Sequence, residues 1–450
     1  MTVAGGGPDP EPPRPGWRRA VETVLPPAPP LPDRRPAYVG AFLVAVFLGL
    51  FLPAARTHLN HVWAEDGARF TVDALGASLW SNLATPYGGY LHTVPRLLIE
   101  PLSLLPLTAL PAAIAVVTAI LRAGIALLVF VASGAYLRWL PVRIAHAALV
   151  VLLPAGNSET LGNLANLHWF LLYGAFWALL WRPAARGANI LAAVVVTLAV
   201  LSDPLVLLLV PLVLLRLLLP SWPDRFSAIG FGAGAVLQIV AMLGAPRAPS
   251  SDVPVDPVRL LLAGILRDPV VTFAGPEVTQ HLYPRFGNAV LLVAILLALV
   301  PIAAAVLAGD RPHRFLALVA AGYSALIMVL VMVVNWTPEL QERPAIVLFS
   351  QRYSVAPALL LCSAIAAGLD KLPERRWAAI TVRITRITIA GVLLLSAGAQ
   401  LHYGTRLTGT PWHTTVAQAR QQCATAAPAA LLVHEPAGWF FIIPCDRMPK

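Results

Sequence analysis

Long apolar runs separated by short polar segments dominate the chain. A helix needs about 20 apolar residues to cross a bilayer, and about eleven of the runs approach or reach that length. They are residues 37–55, 110–137, 141–155, 167–181, 188–201, 204–219, 226–243, 288–307, 315–334, 353–369 and 387–399. The pattern therefore predicts an all-α polytopic membrane protein with about eleven transmembrane helices across residues 37–400.

Arginines cluster in alternate segments between the runs, as they do in cytoplasmic loops. Clusters lie at Arg34-Arg35, Arg138 to Arg143, Arg182 to Arg186 and residues 371–386. They predict a multi-pass protein of the cytoplasmic (plasma) membrane with its N-terminus inside and its C-terminus outside. Residues 1–36 are rich in Pro and Gly, which predicts a disordered cytoplasmic tail.

Two polar segments of the predicted outer side carry their own helix signals. The apolar run at 97–107 is too short to cross, so residues 90–107 are expected as a helix lying along the outer interface in the first external loop. In the loop 244–286, Asp256-Pro257 has the residue types that begin a helix. Leu260–Leu266 would form its interfacial face.

Residues 401–450 are predicted to form a small α+β extracytoplasmic domain. It would contain a helix at 415–422 and a hairpin of strands 431–434 and 439–443. Cys423 and Cys445 fit a disulfide in an oxidising compartment, or they are two free thiols. Cys362 lies inside an apolar run and is expected to be inert.

Composition narrows the possible functions. Only 12% of the residues are charged, about half of what a soluble domain carries. The net charge of +10 comes from the arginine clusters between the apolar runs, which are explained by membrane topology. No nucleic-acid partner is therefore expected. The sequence lacks Walker, dinucleotide, zincin and serine-elbow motifs. If the protein is an enzyme, a lipid-linked donor at the outer face therefore fits better than a cytoplasmic nucleotide sugar.

The first predicted external loop holds the strongest candidate chemistry, in the segment His61–Phe70. Its adjacent Glu65 and Asp66 could deprotonate an acceptor hydroxyl as a general base. They could alternatively hold a divalent cation against a phosphate, and a solvated loop turn is the simplest explanation.

Further candidates lie on the same predicted side. The amide, carboxylate and imidazole groups of segment Gly156–His168 suit sugar hydroxyls, although helix capping and helix–helix contacts would also explain them. Asp203 before Pro204 could bind sugar or only cap a helix. Arg352 could bind a lipid phosphate bidentately or anchor the interface. The candidate substrate-binding residues are Glu159, Asn163, His168, Asp203, Arg352, His92 and Arg96.

Several short motifs resemble one family. They are Trp63–Gly67, Gly89–His92 with Pro95-Arg96-Leu97, Asn163–Trp169 and the Cys-terminated tail with Gly438-Trp439. In this order they resemble actinobacterial members of the GT-C superfamily of integral membrane glycosyltransferases. The resemblance implies a polyprenyl-phosphate-linked sugar donor and an inverting transfer at the outer face. It also implies Asp66 or Glu65 as the catalytic base, with a divalent metal used by some relatives and not by others.

The leading hypothesis is therefore sugar transfer from such a donor to an envelope glycan, glycolipid or protein. A transporter or flippase of lipid-linked sugars is the first rival, and it would need ionisable groups near mid-membrane, where Arg122 is the main charge. A non-catalytic envelope assembly protein is the second.

Overall fold

The computed structural model describes residues 16–30, 34–52, 56–156, 159–245, 247, 251–347, 350–370, 376–400, 409–425 and 427–448. The chain is mostly helical. The first half forms α1 (Gly16–Val24), α2 (Arg35–Phe51), α3 (Val72–Gly76), α4 (Leu79–Ala84), α5 (Thr93–Leu102), α6 (Leu110–Ala132), α7 (Leu140–Leu152), α8 (Leu167–Leu180), α9 (Arg186–Val200), α10 (Val210–Leu217) and α11 (Phe226–Gly244).

The second half continues with helices and ends in a hairpin. The helices are α12 (Pro257–Ile265), α13 (Val271–Ala274), α14 (Pro276–Phe286), α15 (Asn288–Ala308), α16 (Arg311–Val334), α17 (Pro338–Glu342), α18 (Val355–Asp370), α19 (Arg376–Gln400) and α20 (Trp412–Ala424). The antiparallel strands are β1 (Ala429–His434) and β2 (Trp439–Pro444).

Every apolar run of the sequence coincides with a helix. Within the described residues, five helical segments are long and apolar enough to cross a membrane, and five more apolar helices are shorter. The helix α19 covers the last run. The all-helical membrane character is thus supported, and the number of crossings stays a prediction.

Two fully buried helices form the centre of the bundle. All residues of α8 and α18 are buried. The helix α18 packs against α15 and α16, while α8 packs against α6 and α9. A helix that is apolar on every side is stable only when other helices surround it, and both sequences have this composition.

The two ends of the bundle differ in character. We call the end that carries Arg138, Arg182 and Arg311 the arginine end. There Asp370 accepts the backbone N–H groups of Arg138 and Trp139 and an N–H of His313. The opposite end, which carries the C-terminal residues 409–448, is the tail end.

The buried guanidinium of Arg122 is hydrogen-bonded to the backbone at the end of α7. Pro154 has no N–H to donate to the carbonyl of Val150, so α7 ends with free acceptors. The guanidinium of Arg122 donates to the carbonyls of Val150 and Val151 at 3.1 and 3.0 Å. This capping explains how the apolar helix α6 tolerates an arginine.

The N-terminal segment differs from the expected disordered tail. Residues 16–24 form α1, and Arg182 donates to the carbonyl of Leu25 at 2.7 Å. Tyr136 donates its hydroxyl hydrogen to the carbonyl of Val24. Val21 and Leu25 are buried, and this apolar contact stabilises the segment. The Pro-rich composition gave no indication of it. Residues 1–15 and 31–33 lie outside the described residues.

The C-terminal prediction is confirmed in its local structure. We call residues 409–448 the tail unit. It consists of α20 packed on the β1–β2 hairpin, and a disulfide joins Cys423 to Cys445. The indole of Trp412 donates to the carbonyl of Leu107 at 2.6 Å, so the tail unit rests on the start of α6.

The segment 257–286 departs from an interfacial position. Asp256 caps α12 through the N–H groups of Val258 and Arg259, as predicted. However, α12 packs against α16, and Leu266 is fully buried. The following turns extend into the bundle because their apolar residues fill the space beside α15 and α18.

Candidate functional site

A cavity of about 590 Å³ opens at the tail end. We call it the tail-end cavity. Its polar lining comes from six separate parts of the chain and includes Glu65, Tyr87, Tyr90, His92, Asn166, His168, Asp203, Arg247, Asn335, Arg352 and Tyr353. Five residues singled out in the sequence thus meet in one place: Glu65, His92, His168, Asp203 and Arg352.

The structure separates the adjacent carboxylates Glu65 and Asp66. Asp66 is completely buried, and its carboxylate accepts the backbone N–H groups of Leu164 and Ala165 at 2.7 and 2.9 Å. It therefore joins the first loop (residues 56–106) to the second loop (residues 159–166). This placement argues against Asp66 as the base, because its oxygens already accept strong hydrogen bonds, and it leaves Glu65 as the better candidate.

Glu65, unlike Asp66, is exposed to the cavity. Its side chain lines the tail-end cavity and has no hydrogen-bond partner within the described chain. Burial raises the pKa of the neighbouring Tyr87 phenol, and the negative charge of Glu65 raises it further. The cavity therefore presents one carboxylate that is available to a bound hydroxyl group.

The tail unit holds the backbone that immediately precedes Glu65. Ala64 adopts a φ of 40°, a left-handed conformation that costs a non-glycine residue about 1 kcal/mol or more. Its N–H donates to the carbonyl of Glu435 at 2.5 Å, and the N–H of Glu435 donates to Val62. These bonds stabilise the conformation from which Glu65 projects.

His168 and Asp203 form a buried pair at the cavity wall. The Nδ1–H of His168 donates to Asp203 Oδ2 at 2.7 Å, and Asp203 Oδ1 accepts the N–H of Leu205 at 2.8 Å. Asp203 therefore caps the short helix Pro204–Leu209, as the sequence suggested, and also orients His168. The Nε2 atom is the ring nitrogen that Asp203 leaves unused.

Two arginines bring positive charge to the cavity. Glu159 pairs with the guanidinium of Arg352 and accepts its backbone N–H at 3.0 Å. Arg247 donates to Asn335 Oδ1 at 2.8 Å, and the Tyr353 hydroxyl donates to the same oxygen at 3.0 Å. Each guanidinium is thus held by one polar partner while lining the cavity, a geometry suited to binding an anion.

His92 contributes a neutral ring. It is buried between Tyr90 and Phe70, with ring centroids 4.2 and 5.7 Å away. Burial lowers the pKa of His92 to about 3, and the nearby His168 lowers it further. Nε2 donates to the carbonyl of Tyr87 at 3.1 Å, so Nδ1 is the ring acceptor near the cavity.

Three other candidate substrate-binding residues do not line the cavity. Arg96 is buried and pairs with Asp73 at 2.9 Å. Asn163 accepts the N–H of Asn166 and donates to the carbonyl of Glu159. Glu159 itself engages Arg352. The structure gives these side chains other contacts: Arg96 and Asn163 bond within the loops, and Glu159 orients Arg352.

Part of the cavity lining is apolar. Leu208, Met242, Leu330 and Val334 line it. Leu208 comes from the short helix Pro204–Leu209, Met242 from α11, and the last two from α16. One cavity therefore joins a charged, hydrogen-bonding wall to a hydrocarbon wall between two helices that are long and apolar enough to cross a membrane.

The divalent metal that the sequence left open does not fit these donors. No group of three His, Cys, Asp or Glu side chains suited to a metal ion occurs among the described residues. Of the two carboxylates that line the cavity, Asp203 is already bonded to His168 and Leu205. We therefore derive no chemical step through a metal.

Sequence reasoning did not single out Arg247, Asn335, Tyr353, Tyr87 or Tyr90 as binding residues. All five line the tail-end cavity. Arg247 follows a long apolar run and Asn335 ends another. A polar residue at the end of an apolar helix was the available signal, but the same signal marks ordinary interface anchors.

Comparison of the chain with protein families, curated proteins and solved structures finds no match.

Proposed function

We propose that this protein transfers a sugar from a polyprenyl-phosphate-linked donor to a cell-envelope acceptor at the outer face of the cytoplasmic membrane. The tail end would face outward, because the arginine end carries the basic residues that stay in the cytoplasm. A glycan, a glycolipid or a protein hydroxyl could serve as the acceptor. The proposal agrees with the family resemblance of the sequence motifs.

The amphipathic lining of the tail-end cavity carries the proposal. A lipid-linked sugar has a hydrocarbon chain, a phosphate and a group of hydroxyls, and the cavity offers a matching surface for each. Leu208, Met242 and Val334 suit the chain, and Arg247 and Arg352 suit the phosphate. His168 and Asn166 remain to bind sugar hydroxyls.

Glu65 would perform the proton transfer. Its carboxylate accepts the proton of the acceptor hydroxyl while that oxygen attacks the anomeric carbon. The bond between the anomeric carbon and the phosphate oxygen breaks, and its electron pair leaves with the polyprenyl phosphate. The two guanidinium groups stabilise the phosphate charge. Glu65 then releases its proton to water, and the configuration at the anomeric carbon is inverted.

The decisive experiment measures transfer in vesicles that contain the purified protein, a polyprenyl-phosphate sugar and an envelope acceptor fraction. Glu65→Gln keeps the size of the side chain and removes the base, so transfer should fall by about 100-fold or more. Glu339→Gln is the matched control, because Glu339 is a fully exposed carboxylate. Equal activity of Glu65→Gln and the wild type would contradict the assignment.

The flippase alternative has one observation in its favour. Arg267 and Asp268 lie side by side inside the bundle, and both are buried. Asp268 accepts a hydrogen bond from Ser324, which precedes the end of α16 by ten residues, or about 15 Å. Ionisable groups at such depth are typical of transport pathways.

Transport of the donor across vesicles without any acceptor separates the two functions. A transferase leaves the donor in its original leaflet and shows no dependence on Asp268. Donor movement that Asp268→Asn abolishes and Glu65→Gln preserves would favour the flippase.

A further inference from the structure

A second cavity lies at the arginine end, away from the proposed catalytic site. We call it the arginine-end groove. It has a volume of about 540 Å³ and lies between α2, α6 and α7. Most of its lining is aliphatic or aromatic, with Phe42, Leu48, Leu127, Ile144 and Val151 among the residues.

One end of the groove carries two positive charges. Arg34 immediately precedes α2, and Arg143 lies one turn inside α7. Neither guanidinium has an acidic partner in the part of the chain that the structure describes. Two uncompensated cations beside an apolar surface favour an anion that is attached to a hydrocarbon.

Two contacts with Phe130 fix the position of the Arg143 guanidinium. Its Nε donates to the carbonyl of Phe130 at 2.8 Å, and its guanidinium lies 4.0 Å above the Phe130 ring. Gly134 provides the space, since a Cβ there would sit 2.9 Å from Nη1. One nitrogen is thus used for orientation, and Nη1 and Nη2 remain for a ligand.

The length of the groove matches one leaflet. Along α2 its lining runs from Ala37 to Leu48, which is twelve residues or about 16 Å of helix. The hydrocarbon core of a bilayer is about 30 Å thick. The other wall has the same extent, because α7 ends at Leu152 ahead of Pro154. A single acyl chain from the leaflet at the arginine end would fill this space.

We propose that the arginine-end groove is a binding site for an anionic glycerophospholipid of the cytoplasmic leaflet. One acyl chain lies against α2, α6 and α7. The phosphate contacts Arg34 and Arg143, and Tyr38 lies beside them as a hydrogen-bond donor. The site is independent of the tail-end cavity, so it holds whether or not the protein is a glycosyltransferase.

Native mass spectrometry of the full-length protein tests the site. Delipidated protein is titrated with phosphatidylglycerol or with phosphatidylcholine of identical acyl chains, and the bound lipid is counted. The wild type should retain one phosphatidylglycerol more strongly than phosphatidylcholine. The Arg34→Gln/Arg143→Gln variant should lose most of that preference, on the order of tenfold.

Three further variants make the result specific. Arg186→Gln/Arg311→Gln removes the same charge from the same end outside the groove, and it should behave as the wild type. Ala41→Trp keeps both charges and fills the groove, so it should release the lipid. Arg34→Gln alone leaves the Arg143 hydrogen bond intact, which guards against misfolding of the double variant. Equal retention of both lipids by the wild type, or unchanged selectivity in Arg34→Gln and in the double variant, would overturn the proposal.

Discussion

The imidazole of His434 lies directly against Gly67, two residues after the proposed catalytic Glu65. A Cβ atom on Gly67 would be 2.9 Å from His434 Nε2 and 3.0 Å from a methyl carbon of Val62. The tail unit therefore contacts the first loop too closely for any side chain at position 67. This contact connects the tail unit to the geometry of the cavity.

Gly67→Ala should displace the first loop and lower the kcat of transfer on the order of tenfold, since small displacements of a catalytic group are costly. Adding His434→Ala removes the imidazole from the clash and should restore part of the loss. Gly232→Ala is the control, because a Cβ there meets nothing within 4 Å. Equal loss in the single and the double variant would show that the contact does not position Glu65.

Asp66 and Glu65 should respond differently to removal of their charge. Asp66→Asn places an amide N–H against a backbone N–H in a buried site, which should cost about 2 to 3 kcal/mol of stability. Glu65→Gln should leave the thermal unfolding temperature unchanged and abolish transfer. Scanning fluorimetry of both variants beside the transfer assay checks the distinction. A stable but inactive Asp66→Asn protein would return Asp66 to the list of catalytic residues.

Hydropathy was enough to locate the helices, because transfer of apolar residues into a bilayer depends on composition over about 20 positions. The tail hairpin could also be predicted from the local sequence. Its buried residues Leu432 and Phe441 alternate with exposed neighbours, and the two pair in register. The role of Asp66 was not predictable, since its partners are backbone N–H groups 98 and 99 residues away. Every residue except proline has such a group, so the sequence carries no mark of the contact.

The disulfide should matter for the first loop as well as for the tail unit. Cys423 and Cys445 join the end of α20 to the residue after β2. Reduction should loosen the hairpin, weaken the backbone bonds between Glu435 and Val62–Ala64, and increase hydrogen exchange in residues 62–71. Cys423→Ser/Cys445→Ser should show the same exchange without reductant. Cys362→Ser, which removes the buried free thiol, should keep the wild-type response to reduction.

The tautomer of His168 should depend on Asp203. In Asp203→Asn the amide oxygen can keep the helix-capping bond to Leu205, and the amide nitrogen then faces His168 Nδ1. The proton moves to Nε2, so the ring offers a donor to the cavity instead of an acceptor. We expect the KM for the donor to rise about tenfold. His168→Gln combined with Asp203→Asn should be no worse than the poorer single variant, whereas additive losses would indicate separate roles.

His434 should make the stability of the folded protein depend on pH. Burial lowers the pKa of His434 to about 4, against about 6.5 for an unfolded histidine. Between these values the unfolded chain binds a proton that the folded chain does not, so stability falls as the pH falls from 6.5 toward 4, by about 3 kcal/mol at most. His434→Asn keeps a donor for the carbonyl of Glu435 and cannot titrate, so its unfolding temperature should decline less across this window. His413→Asn, at an exposed histidine, is the matched control. An identical pH profile for the wild type and His434→Asn would show that folding does not lower the pKa of His434.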